Sequence, residues 1–213
     1  VTHTYAIEIG GSNSMLPLAV AAQLGIPIVN IDGMGRAFPE IQMVTHTLYG
    51  IASTPMVIVD EKGNEVCLSN TGYPTTETFA RPIATHMGAR ASIALYPAKA
   101  HQLKMATIPG GLTLAADIGR AIRAAHDHYT PPVKAVATSL NGYHLFSGKV
   151  TDLTRKVAGG FARGLVQISD FEGNKHLTVE FQNEYLIARH GHTSLATTPD
   201  LIMILEHESG YPI

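Results

Sequence analysis

The stretch IEIGGSNSMLPLAVAAQLGIPIVNIDGMGRAFPE, residues 7–40, sets two glycine pairs, Gly10-Gly11 and Gly33-x-Gly35, at either end of an uncharged apolar segment. Residues 15–24 have the character of a helix: Ser12 or Ser14 can cap it, Pro17 is tolerated in its first turn, and Gly25 supplies the stop. Residues 26–31, IPIVNI, form a short apolar run with β-branched side chains, the pattern of a strand buried on both faces. Strand, helix and strand in this order predict an α/β layer, in which ligands gather beyond the carboxyl ends of the strands.

That placement sets Glu8 and Asn13 beside one turn and Asp32, Arg36 and Glu40 beside the next. Gly10, Gly11, Gly33 and Gly35 would let the backbone approach a ligand closely. Arg36 offers a planar fork for a carboxylate or an imide oxygen. The simpler reading has Asp32 closing a turn, Arg36 pairing with Glu40 on a helix face, and Asn13 capping. Turns alone rarely demand Arg, Glu and Gly-x-Gly together, which favours a ligand pocket. A phosphate cradle fits less well: GGSNS lacks the P-loop lysine, GMGRAF lacks the third glycine of a dinucleotide fingerprint, and neither is a G-x-S-x-G elbow. Pro109-Gly110-Gly111 at a helix start could receive an anion, or simply serve as a helix entry.

Working outward, residues 37–49 read as a helix with Pro39 in its first turn. PMVIVDEKGNEVCLS reads as a hairpin around Lys62-Gly63-Asn64. Helices are expected over 75–87 and 113–128, with a strand over 91–96 between them. Thr130-Pro131-Pro132 marks a break. Beyond it the pattern is β throughout, over 143–157, 161–170, 176–181, 185–189 and 201–206, with a hairpin turn at EGNK (172–175) and a bend or bulge in KVAGGFARG. The expected fold class is α/β: a layered α/β domain with the ligand cleft, residues 1–130, followed by a small all-β domain, barrel or sandwich-like, residues 131–213. In FQNEYL, Asn183 and Glu184 either tip a hairpin or face the first domain and complete the cleft.

Composition narrows the function classes. Of 213 residues 45% are apolar and 15% charged, enough for a core and too apolar for disorder. The net charge of −2, with no basic cluster, gives nucleic acid no electrostatic footing. No apolar run approaches a membrane span, and no signal-peptide pattern opens the chain. Cys67 is the only cysteine, which excludes an internal disulfide and fits a reducing cytoplasm. The pairs His126-x-His128 and His190-x-His192 each lack a third ligand, so no cofactor is expected; His190 and His192 are where a metal would be sought. Val1 is not an initiator methionine, and the tail LIMILEHESGYPI reads as a strand, a Gly turn and the start of a return strand, so the chain is expected to be a segment of a longer protein.

EIGGSN (8–13), DGMGRAFPE (32–40), GGFARG (159–164), FQNEYL (181–186) and PDLIMIL (199–205) together resemble the S-methyl-thiohydantoin desulfurase-like family, associated with hydantoinase/oxoprolinase-type proteins. The resemblance runs in order over nearly the whole chain. It implies an α/β domain followed by a β-rich one, and members that begin upstream with a glycine-rich segment and continue beyond this C-terminus. The expected function is a hydrolase-like reaction on a small cyclic amide or imide of the S-methyl-thiohydantoin or hydantoin type. Glu40, Asp32 or Glu8 would be the general base, with Arg36 and Asn13 holding ring oxygens. The alternatives are a noncatalytic ligand-binding subunit or regulatory partner of a hydantoinase/oxoprolinase-type enzyme, and a metal-dependent hydrolase using His190 and His192. A homo-oligomer is also compatible with this composition.

Overall fold

In the computed structural model, which describes residues 1–69 and 72–213, the uncharged segment after Gly10 forms helix α1 (Gly11–Leu24) and stops at Gly25, whose φ of 63° is left-handed. Gly10 stands at the N-cap, so Ser12 and Ser14 lie inside the helix rather than capping it. The predicted strand over 26–31 shrinks to β1 (Ile31–Asp32), preceded by a lone parallel bridge between Thr4 and Ile28. Pro27 lacks the N–H that a continuous ladder needs. Asp32 therefore sits within a strand, and β1 pairs antiparallel with a later segment rather than parallel with a neighbour.

The helix expected over 37–49 is reduced to one turn, α2 (Thr45–Leu48). The first turn of the expected helix is held open from elsewhere: Glu77 Oε2 takes the Ile41 amide at 2.9 Å, which a helix would give to Ala37 O, and Glu8 Oε2 accepts from Phe38 N at 3.1 Å. Phe38 also precedes a proline, which disfavours helical backbone. The hairpin forms as expected from β2 (Met56–Val59) and β3 (Glu65–Leu68), with Asp60 Oδ1 accepting from the Lys62 and Asn64 amides across its turn. Then follow α3 (Tyr73–His86), β4 (Ser92–Ala94), α4 (Ala100–Ala106) and β5 (Ile108–Pro109), the last being the partner of β1. The three-stranded sheet runs β3-β2-β4, and Met56 and Ile58 of β2 point alternately with their neighbours into a core shared with Ala80.

Next come α5 (Gly111–Asp127) and α6 (Pro132–Ser139). The second is a correction to the all-β expectation after residue 130: Pro132 opens a helix, where its missing N–H costs nothing. The remainder is a meander of β6 (Lys149–Ala158), β7 (Phe161–Ser169), β8 (His176–Gln182), β9 (Glu184–His190) and β10 (Thr193–Thr197), in sheet order β10-β9-β8-β7-β6. The sheet stays open and does not close into a barrel. Its core face gathers Val166, Ile168, Leu177, Val179, Ala188 and Ile202. Residues 201–206 supply only a bridge, Leu205 with Pro212, and Ile213 N donates back to Ile204 O at 3.0 Å. By contacts the chain divides into two compact units, Val1–Gly111 and Leu112–Ile213. No helix among the described residues is long and apolar enough to cross a membrane.

The first unit is centred on an aromatic group. His46 is fully buried between Tyr5, at 5.7 Å between ring centroids, and Tyr96, at 4.9 Å. The Tyr5 hydroxyl spends its one hydrogen on the Tyr96 carbonyl at 2.9 Å, so it accepts from His46 Nε2 at 3.0 Å. Neutral His46 therefore carries its proton on Nε2, and burial pulls its pKa down from 6.5 to about 4. Between those two values the unfolded chain binds a proton that the folded chain refuses. Stability thus falls as pH drops from 6.5 towards 4, by a total on the order of 3 kcal/mol, and no further below that window. Urea unfolding at pH 7 and at pH 4.5 checks this against His46→Phe, which should lack this component. Equal pH dependence in both proteins would refute it.

Candidate ligand site at the glycine turns

Glu8, 7% exposed, ties the first glycine turn to the second. Its Oε1 accepts from the Asn13 side-chain amide, and its Oε2 from the Phe38 backbone amide. Asn13 thus serves Glu8 from the first turn of α1 and does not cap the helix. Gly10 N donates to Ser14 Oγ at 3.2 Å, and a methyl on Gly10 would meet Ala37 Cβ at 3.4 Å. The two turns therefore pack directly on each other.

Asp32 is fully buried and shapes the second turn by accepting from the Met34 and Gly35 amides through Oδ1. This is an Asx-type turn, the local structure that Asp forms most readily. Gly33 and Gly35 are needed there for different reasons. A side chain on Gly33 would come within 2.8 Å of the Ile7 carbonyl oxygen, which already accepts from Gly33 N at 2.9 Å. Gly35 has a φ of +76°, which L side chains rarely adopt. Arg36 is 6% exposed and donates from Nε to Ala37 O at 3.2 Å. Glu40 is half-buried and accepts from Gln42 Nε2 at 2.6 Å. From α3, Glu77 and Arg81 grip the same segment through Ile41 N and Pro39 O. The i, i+4 spacing of Glu77 and Arg81 is the one signal of this pair in the sequence.

A third backbone segment reaches the site at Gly111. Asp32 pairs with Ile108 in the β1–β5 ladder, and Gly110 N donates to Asn30 O at 2.9 Å, which draws the Pro109-Gly110-Gly111 turn alongside. A methyl on Gly111 would overlap Asp32 Oδ2 and stand 2.5 Å from Ile9 Cγ1. Asp32 Oδ2 is buried and has no hydrogen-bond partner among the described residues. Gly111 is a helix entry, one of the two readings of its sequence, and is also part of the wall around Asp32.

The structure therefore brings Glu8, Asn13, Gly10, Gly33, Gly35, Asp32 and Gly111 onto three touching backbone segments. Gly11, with φ +50°, opens α1 beside them. Arg36 and Glu40 follow on the second turn. Asn183 and Glu184 lie in the second unit, where Asn183 (φ +57°) turns β8 into β9 and exchanges two bonds with the Ala162 backbone, at 2.7 and 2.9 Å. His190 and His192 are exposed at the β9–β10 turn. Among the described residues no three His, Cys, Asp or Glu side chains are grouped to hold a metal. Cys67 is exposed on β3, a strand that presents alternate residues outward.

Comparison with known proteins agrees with this architecture. Residues 1–70 match the family model described as S-Me-THD-like, N-terminal domain, and residues 71–213 match S-Me-THD-like, C-terminal domain. No curated protein matches. Among solved structures, a protein from Chromobacterium violaceum known from an X-ray crystal structure is 29% identical, with a TM-score of 0.78 over 99% of this chain. The chain spans 58% of that protein's chain.

Proposed function

The chain belongs to the S-Me-THD-like family, and from that premise we propose that it acts, hydrolase-like, on a small cyclic amide or imide of the S-methyl-thiohydantoin or hydantoin type. The observation that carries the reading is that buried Glu8 and Asp32 stand on two glycine turns packed against each other, with half-buried Glu40 five residues after Gly35. In the reaction, water adds to the sulfur-bearing ring carbon and gives up a proton to a carboxylate. The ring carbon–nitrogen double bond opens and the nitrogen takes up that proton. The tetrahedral adduct then collapses, its hydroxyl proton passing to sulfur as the C–S bond breaks, so that methanethiol leaves and the ring carbon remains as a carbonyl.

The three carboxylates are not equivalent. Both oxygens of Glu8 and one of Asp32 accept hydrogen bonds within the turns, so these two hold the site's shape. Glu40 is the most open, and Gln42 orients it, which suits a general base that must meet water. Arg36 supplies positive charge for the ring oxygens as negative charge develops on them. Gly10 and Gly33 let the turns pack closely on their neighbours, and Gly11 and Gly35 would leave room for a ligand to approach the backbone.

Glu40→Gln in the full-length protein is expected to cut turnover of an S-methyl-thiohydantoin by roughly 100-fold or more while leaving the thermal midpoint unchanged. A folded Glu40→Gln variant with normal turnover would remove Glu40 from that role. The hydrogen bonds that already occupy Glu8 and Asp32 favour a second reading, in which the same turns only bind ligand within a hydantoinase/oxoprolinase-type assembly. Ligand binding by calorimetry without methanethiol release would support it.

A further inference from the structure

Strand β6 is exposed at all ten of its residues and ends the sheet. That is unusual for a strand whose inward side should share in the core. Its register with β7 shows which side is which: Val150, Leu153, Arg155 and Val157 stand opposite Ile168, Val166, Gly164 and Ala162. Val166 and Ile168 belong to the core, so these four residues occupy the core face of the sheet. The spacing from Val150 to Leu153 is odd because a bulge at Thr151 inserts one residue. Asp152, Thr154 and Lys156 lie on the opposite face. Val150, Leu153 and Val157 are 46%, 57% and 68% exposed, and the first two line a hollow of about 250 Å³ with Phe181 and Ile204.

We propose that β6 is an interface for a second copy of this chain, joined edge to edge as an antiparallel pair about a two-fold axis through Thr154. Such an axis stands perpendicular to the sheet and keeps like faces together, so paired residues must share a face. Only registers centred on a residue meet that condition within the regular part of the strand. Centred on Thr154, each Asp152 faces a Lys156 across the axis on one side of the sheet. On the other, Leu153 faces Arg155, whose stem covers it. The bulge then shifts Val150 by one place, so that each Val150 faces a Val157 on the core side.

Neighbouring registers do worse. Centring on Leu153 leaves Asp152 opposite Thr154 and Val150 opposite Arg155. Centring on Arg155 sets two guanidinium groups against each other, and like charges directly opposite are unfavourable. The Thr154 register gives two ion pairs and two apolar pairs from the same ten residues. Lysines and bulges usually protect an edge strand from pairing. Here Lys156 and the Thr151 bulge instead complete the match.

Sedimentation of the full chain across a range of concentrations tests this, and a dimer is expected. Asp152→Lys should weaken it about tenfold or more, and the swapped pair Asp152→Lys with Lys156→Asp should restore it. In a Cys67→Ser background, Thr154→Cys should give a disulfide-linked dimer under mild oxidation, because facing residues of an antiparallel pair lie within disulfide reach. Lys149→Cys should not. A chain that stays monomeric, whether β6 is bare or covered by another segment, overturns the proposal. So does a dimer indifferent to both the single substitution and the swap.

Discussion

Gly164→Ala is expected to cost the second unit about 3 kcal/mol or more, lowering its thermal midpoint by roughly 15 °C. A methyl at this position would overlap the Thr154 carbonyl oxygen of the neighbouring strand and come within 2.6 Å of Phe181 Cζ. Neither neighbour can yield cheaply. Thr154 is ladder backbone in β6, and Phe181 packs edge-on against Tyr185 at 6.3 Å on the core side. The substitution must therefore either push β6 off β7 or unseat an aromatic ring from the core. Gly119→Ala is the control: it lies inside α5 with nothing within 4 Å of a new methyl. There the change should raise stability by about 0.5–1 kcal/mol, since only the entropy of glycine in a helix is removed. Circular dichroism melts of the two variants should move in opposite directions. A Gly164→Ala melt matching the parent would mean that β6 and β7 are less closely paired than described.

Gly111→Ala is expected to destabilise the first unit by about 2–3 kcal/mol, through overpacking rather than backbone strain. Its methyl meets Asp32 Oδ2 and Ile9 Cγ1 together, with Asp32 pinned by two amide donors and Ile9 held between Glu8 and Gly10 on the first turn. If Glu40 has the proposed role, turnover should fall too, because Asp32 shapes the turn that Arg36 and Glu40 follow. The double variant Gly111→Ala with Ile9→Ala, which removes Cγ1, should lose less than the two single variants together, as expected of neighbours sharing one space. Urea unfolding of the parent, the two single variants and the double variant measures that coupling. Simple additivity would show that Gly111 and Ile9 do not share a space.

The meander was the most legible part of the chain, and the reason is local. Alternating residues and the turn at 172–175 specify β7 and β8 without help from elsewhere, and Asp170 closes that turn by accepting from Asn174 N at 2.8 Å. Residues 37–44 carry a helical pattern, but the Phe38 and Ile41 amides are held by Glu8 and Glu77, from 30 and 36 residues away. No window of sequence contains that competition. The site divides along the same line. Glu8, Asn13 and Asp32 announce themselves as polar groups beside glycines, whereas the part played by Gly111 depends on an antiparallel pairing between two-residue strands, too short to leave a pattern. The helix α6 was hidden by Pro131 and Pro132, which read equally as a break and as a helix start.

The aromatic group around His46 has a further consequence, in the order in which the molecule assembles. Every strand of the meander pairs with one next to it in the chain, so each ladder needs only a short loop to close. Tyr5 must instead find His46 and the Tyr96 carbonyl, partners 41 and 91 residues away. Closing such loops costs entropy before any contact rewards it. The meander is thus built for rapid, stepwise zipping, while the first unit can set only once nearly its whole length has come together. The Tyr5–His46–Tyr96 stack is in that sense a latch, reporting that the first unit has finished folding.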